Sequence, residues 1–357
     1  SAPGLELPAL LLGGLAALAL PGSVRRAGRR ALRGRGCSVS AVGSTRSLPR
    51  AAAFGRLRRS PLARAAKELE SLEGEELELL LQAAEAGDAE SQFYAARLAL
   101  DKDDLPKAAE WFSKAAEQGM ANAQYNLGMM LVAGDGVEQD PAKGGYWLEQ
   151  AANQGQATAQ YFFAVLCMQG TAEQRDMDKA MAYLDAAAEN GVVDAQYTLG
   201  YMLMDSPKDA LKEKEWAAHW LNKAAEQGDA RAQYQIARMF SFGVGMEQSS
   251  EKAASWASAA ANSGLKEAQY MMGTMLLSGD GVEKNCEWAA HWFQQAAEQG
   301  QMDAQYNLGL MLDSGDGIPE DKEKAAYWLK QAASQGDSES ARVGMEVTEK
   351  LQSQGEA

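Results

Sequence analysis

Two histidines and three cysteines are the residues of this chain best suited to metal or nucleophilic chemistry. His219 and His291 each lie in the same hexapeptide, Glu-Trp-Ala-Ala-His-Trp, at Glu215–Trp220 and again at Glu287–Trp292. A zinc site brings Cys or His ligands together at short spacings, and an activated nucleophile needs a base within hydrogen-bond reach. Neither Cys37, Cys167 nor Cys286 belongs to a Cys-x-x-Cys or Cys/His pattern, and no Ser/His/Asp set stands out. The glycine pairs of Gly134-Asp135-Gly136, Gly243-Val244-Gly245, Gly279-Asp280-Gly281 and Gly315-Asp316-Gly317 are not phosphate loops, because no strand precedes them and no Lys-Ser/Thr follows. The expectation is a protein with no catalytic residue, no metal and no cofactor.

What positions these residues is a repeat. The ending Ala-Ala-x-x-Gly recurs at Gly119, Gly155, Gly191, Gly228, Gly264, Gly300 and Gly336, at spacings of 36, 36, 37, 36, 36 and 36. A period of that size marks stacked units, each exposing an apolar face that its neighbour covers. An earlier ending at Ala83-Ala84-Glu85-Ala86-Gly87 starts the array with half a unit near Glu75. The two histidines then fall two units apart and Cys167 and Cys286 three, so neither pair is expected to meet and the thiols are expected to be free.

One unit shows the grammar. Ala304, Leu308 and Leu312 form one stripe of a first helix, the Gly315-Asp316-Gly317 loop stops it, and Ala325, Trp328 and Ala332 form the stripe of a second. Gly309, with Gly128, Gly200 and Gly273 and with Ala96, Ala164 and Ala237, is predicted to let the two helices approach closely. The aromatic column Trp111, Trp147, Tyr183, Trp220, Trp256, Trp292 and Trp328 is expected to fill the core. Asp140-Pro141 reads as an N-cap followed by proline at the first helical position. Asp101-Lys102-Asp103-Asp104 and Asp205-Ser206-Pro207 replace the glycine loop in the first and fourth units.

Charge separates the ends. Residues 1–65 hold twelve arginines against one acid, Glu6, which is +11, so with −15 overall residues 66–357 carry −26. An array so acidic repels phosphate backbones, and no nucleic-acid partner is expected. Pro8–Leu20 is too short for a membrane span and suits a signal h-region, while the Arg-, Ala- and Ser-rich stretch after it has organelle transit composition. Residues 1–65 are therefore expected to be a disordered targeting leader to a mitochondrion or plastid, with the secretory pathway as the alternative, ahead of a part that does not span a membrane. Residues 66–87 are expected to be N-terminal capping helices, and residues 337–357, with Ala341, Met345 and Val347, a C-terminal capping helix and tail.

The pattern Ala-x-Tyr-x-Leu-Gly, Gly-x-Gly-Val, Lys-Ala, Trp, Ala-Ala-x-x-Gly over Asp88–Gly336 resembles the Sel1-like repeat family, relatives of the tetratricopeptide repeats. The resemblance implies an all-α, right-handed superhelical solenoid of antiparallel helix pairs, about seven repeats long, acting as a scaffold or adaptor. The cysteine-rich branch of that family carries paired cysteines in each unit, which this chain lacks. In such superhelices the first helices line a concave face, which the resemblance places one and four residues after the small contact residue. It implies a groove of Met129, Val132, Val165, Met168, Tyr201 and Met204, with Arg238 in the same register, for an amphipathic helix or extended peptide of a protein client. The tyrosine column Tyr125, Tyr161, Tyr197, Tyr234, Tyr270 and Tyr306 suits packing. A regulatory subunit that activates a bound enzyme remains an alternative to the adaptor, and a hydrolase a weaker one.

Overall fold

The computed structural model describes residues 74–169, 176–205, 211–336 and 338–355; the Arg-rich leader, and the Ser206-Pro207 part of the fourth connection, lie outside them. Among the described residues every regular element is an α-helix, arranged in antiparallel pairs, and there is no strand. One compact unit runs to Ala180 and a second begins at Met181. The first holds α1 (Glu75–Glu85), α2 (Ala89–Asp101), α3 (Leu105–Glu117), α4 (Ala121–Ala133), α5 (Pro141–Asn153) and α6 (Ala157–Gln169). After α7 (Met177–Glu189) come α8 (Val193–Met204), α9 (Leu211–Glu226), α10 (Ala230–Phe242), α11 (Ser250–Asn262), α12 (Lys266–Ser278), α13 (Cys286–Glu298), α14 (Met302–Ser314), α15 (Lys322–Ser334) and α16 (Ser338–Gly355). Even-numbered helices up to α14 are the first helices of the seven repeats.

Local chemistry sets these bounds. Gly134, Gly243, Gly279 and Gly315 take left-handed conformations that end a first helix and return an N–H to a carbonyl four residues back. Asp103 does the same work in the first repeat, at φ 62°, which an aspartate tolerates better than most residues. Second helices open on side-chain caps at Asp104, Asp140, Ser249, Asn285 and Asp321, with Pro141 at the first turn of α5 as expected.

Where the contact residue is glycine, the pair closes until there is no room for a side chain. A Cβ on Gly273 would stand 2.6 Å from the Phe293 ring, and one on Gly309 or Gly200 would stand 2.7 Å from Leu329 or Leu221. The fully enclosed column of the second helices is therefore Phe112, Leu148, Leu184, Leu221, Ala257, Phe293 and Leu329, all at 0% exposure. It lies one residue after the aromatic column. Of the aromatics expected in the core, Trp111 and Trp220 are buried while Trp147, Tyr183, Trp256, Trp292 and Trp328 are half-buried, because the indole lies across the flank of the contact and the next side chain fills it.

Repeats are tied by a relay of glutamines. Nε2 of Gln124 in α4 donates to the Ala116 carbonyl at the end of α3, 3.2 Å away, and its Oε1 accepts from Gln154 at the end of α5, 2.7 Å away. Gln92 with Gln118, Gln196 with Gln227, Gln269 with Gln299 and Gln305 with Gln335 repeat the arrangement. In the fifth repeat Ser263 stands where the donor glutamine should be, and Gln233 Oε1 is buried without a partner.

The second glycine of each loop rests on the preceding second helix. A Cβ on Gly281 would lie 2.1 Å from the Ser250 carbonyl oxygen, and one on Gly136 2.4 Å from the Leu105 carbonyl carbon. At the end of the chain α16 packs on α15, with Val347 enclosed and Gly344 against Leu329, while Met345 is 62% exposed and borders the groove between the two helices.

Two substitutions test this packing. Ser263→Gln should restore the missing donor and stabilise the protein by about 1 kcal/mol, read as a higher midpoint in urea. Gly281→Ala, strained at φ 72° and blocked by backbone, should destabilise by at least ~1 kcal/mol.

Candidate partner-binding surface

Burial pushes the Cys167 thiol up, and burial together with the Asp316 carboxylate pushes Cys286 up, so both stay protonated at neutral pH. Both are free thiols, and Cys37 lies outside the described residues. His219 and His291 are exposed, each edge-on to two tryptophans of its own helix. Among the described residues there is no group of three or more His, Cys, Asp or Glu arranged to hold a metal, and no helix long and apolar enough to cross a membrane.

In the first unit the expected groove residues divide. Met129 is half-buried on α4, whereas Val165 and Met168 on α6 are 3% and 2% exposed. Val132 turns into its own pair, since a Cβ on Gly144 of α5 would lie 2.6 Å from the Val132 Cγ2. The register four residues after the small contact residue thus faces a second small column, Ala108, Gly144, Ala180, Ala217, Ala253, Ala289 and Ala325. Val165 and Met168 present no side chain to solvent, and Met129, beside the half-buried Tyr125, is what the first unit offers.

In the second unit Tyr201 and Met204 are half-buried on α8, packed around Tyr197 and Leu221, with the Tyr197 and Tyr201 rings 5.9 Å apart. Arg238 on α10 is exposed, lies over the Tyr234 ring and donates to Gln235 Oε1 at 3.2 Å. Arg231, which the repeat pattern did not single out, joins α8 to α10: it pairs with Asp194 at 2.7 Å and Asp229 at 2.6 Å, and stacks 4.4 Å from the Tyr197 ring centre. Its position is occupied by Asn122, Thr158 or an acid in other repeats, so periodicity hid it.

The tyrosines are packing groups. Burial pushes Tyr125 up to about 12 and raises Tyr197, Tyr234 and Tyr270, against the opposing charges of Arg231 on Tyr197 and Arg238 on Tyr234. Because the folded state holds these phenolic protons more tightly than the unfolded chain, their contribution is complete below about pH 10 and is lost as pH rises toward 12. Denaturation midpoints should therefore fall across that window, and Tyr125→Phe should lose less than the parent. Equal losses would remove Tyr125 from the account.

A family model for the Sel1 repeat matches seven times, at residues 90–120, 121–156, 157–192, 193–229, 230–265, 266–301 and 303–337. The chain is similar to a solved Sel1 repeat protein from Oxalobacter formigenes, 32% identical, with TM-score 0.61, over 89% of this chain and 99% of that one. It is also similar to c5321, a protective antigen of uropathogenic Escherichia coli strains displaying an SLR fold, 33% identical with TM-score 0.67 over 74% of this chain. The chain spans 57% of the length of that antigen. Among curated proteins none matches.

Proposed function

The chain belongs to the Sel1 repeat family, a non-catalytic fold that serves as a protein-interaction scaffold, and we propose that it holds a protein client on the solvent side of its first helices. The observation that carries this reading is the placement of Met129 in the first unit and of Tyr201 in the second, apolar side chains left half in solvent on helices whose other faces are committed to packing, with Arg238 exposed on α10. Methionine adapts to varied apolar surfaces, and half-exposed apolar positions on first helices suit an amphipathic helix or an extended peptide.

Capture of the tagged full-length protein from its native cells, followed by mass spectrometry, tests the reading. Met129→Glu and Tyr201→Glu, each with the melting curve of the parent, should each lose partners that the parent captures. Retention of every partner by both variants would contradict the site. The Arg-rich composition of residues 1–65 supports delivery to a mitochondrion or plastid, and a fusion of that segment to a fluorescent reporter should leave the cytosol. A reporter that stays there would contradict it.

A further inference from the structure

The twice-used hexapeptide has a face that neither packing nor the first-helix surface requires. Trp216 and Trp288 are 57% and 55% exposed. Each meets the histidine of its own hexapeptide edge-on, at 5.5 Å and 81° for His219 and 5.4 Å and 87° for His291. The same register holds Lys107, Lys143, Lys179, Lys252 and Lys324 in the other repeats. Lys143 and Lys324 pair there with the caps of their own helices, and Lys252 lies over the Phe240 ring. In two repeats of the second unit an indole replaces the lysine, fixed in orientation by its histidine and left open.

The residue before this register is an exposed glutamate in four successive repeats of the second unit, Glu215, Glu251, Glu287 and Glu323, and none of the four forms an ion pair among the described residues. The ends of these helices form one edge, because Gly245 rests on Lys214, Gly281 on Ser250 and Gly317 on Cys286. Segments 211–216, 243–252, 279–288 and 315–324 along it hold eleven acids and six lysines. Two of those lysines, Lys322 and Lys324, are already paired. First-turn glutamates stabilise their own helices through the dipole, but that role does not ask for an exposed tryptophan beside them.

We propose that this edge docks an arginine-rich extended segment of a partner protein, its guanidinium groups stacking on Trp216 and Trp288 and pairing with Glu215 and Glu287. Arginine suits the site better than lysine because a planar guanidinium lies flat on an indole while keeping N–H groups for a carboxylate. Helices pack roughly 8–10 Å apart, so the two tryptophans, two repeats apart, stand on the order of 20 Å from each other. An extended chain at about 3.3 Å per residue covers that with roughly six residues. The proposal rests on the scaffold reading but uses a different surface.

A fluorescent nona-arginine peptide titrated onto the full-length protein, followed by anisotropy, tests it. Binding should be present at low salt and weaken as salt rises. Trp216→Ala/Trp288→Ala should weaken it roughly tenfold with an unchanged melting curve, Glu215→Gln/Glu287→Gln should also weaken it, and nona-lysine should bind less well than nona-arginine. Glu117→Gln/Glu298→Gln, at the opposite ends of second helices, and Met129→Glu should leave it as it was. Absence of binding, equal binding by the tryptophan variant, or an equal loss from Glu117→Gln/Glu298→Gln would overturn the proposal. If Trp216→Ala/Trp288→Ala binds nona-arginine as tightly as the parent while Met129→Glu loses captured partners, this edge fails and the first-helix surface stands.

Discussion

In four repeats of this protein the helix pair closes until the first helix has no space for a Cβ atom, and in the other three it admits only alanine. Gly128 against Leu148, Gly200 against Leu221 and Gly309 against Leu329 leave 2.8 Å or less for a side chain that is not there. Contact at that range gives dispersion along the length of both helices, and it fixes their separation. Because the inner faces admit only small residues on one helix and, outside the fifth repeat, a large apolar residue on the other, most variation between repeats falls on the outer faces. The surfaces that distinguish one repeat from the next, Met129, Arg238, Trp216 and Trp288, are all there.

Apolar contact alone would let one repeat slide on the next, and the glutamine relay opposes that. A buried amide that donates to the previous repeat and accepts from its own second helix is satisfied in one register only, and a slip would bury polar atoms without partners. The fifth repeat departs on both counts. Ala257 faces Ala237 where the neighbouring repeats place leucine or phenylalanine against a small residue, and Ser263 leaves Gln233 Oε1 unpaired. Arg231 lies at the same joint, binding Asp194 and Asp229 and covering Tyr197, so an ion-pair clamp stands where part of the relay is lost.

Periodicity made most of the fold legible. The recurring glycines, the small contact residues and the loop pairs announced helix pairs, their lengths and their ends, because each is required by backbone conformation or by close approach at a fixed place in the unit. Orientation around the helix was harder to read. Val132 and Met168 occupy a register that the resemblance placed on an open face, but the second small column, seen at Gly144, draws that register inward. The aromatic column packs on the core as its recurrence implied, buried at Trp111 and Trp220 and half-buried elsewhere, while the residue after it takes the fully enclosed position. A glutamine that recurs beside a tyrosine looks like any surface amide until its carbonyl partner, eight residues back, is brought beneath it.

The close inner contacts and the glutamine relay hold the helix pairs together, and the fifth repeat departs from both. Amide hydrogen exchange of the full-length protein, resolved helix by helix under native conditions, tests this most directly. The account predicts that α10 and α11 open at lower free energy than α12, α13 and α14, since they lack the paired glutamine and the large side chain of the enclosed column. Uniform protection across these helices, or earlier opening of α12 and α13, would contradict the claim that the relay and the small-residue contact together hold the stack.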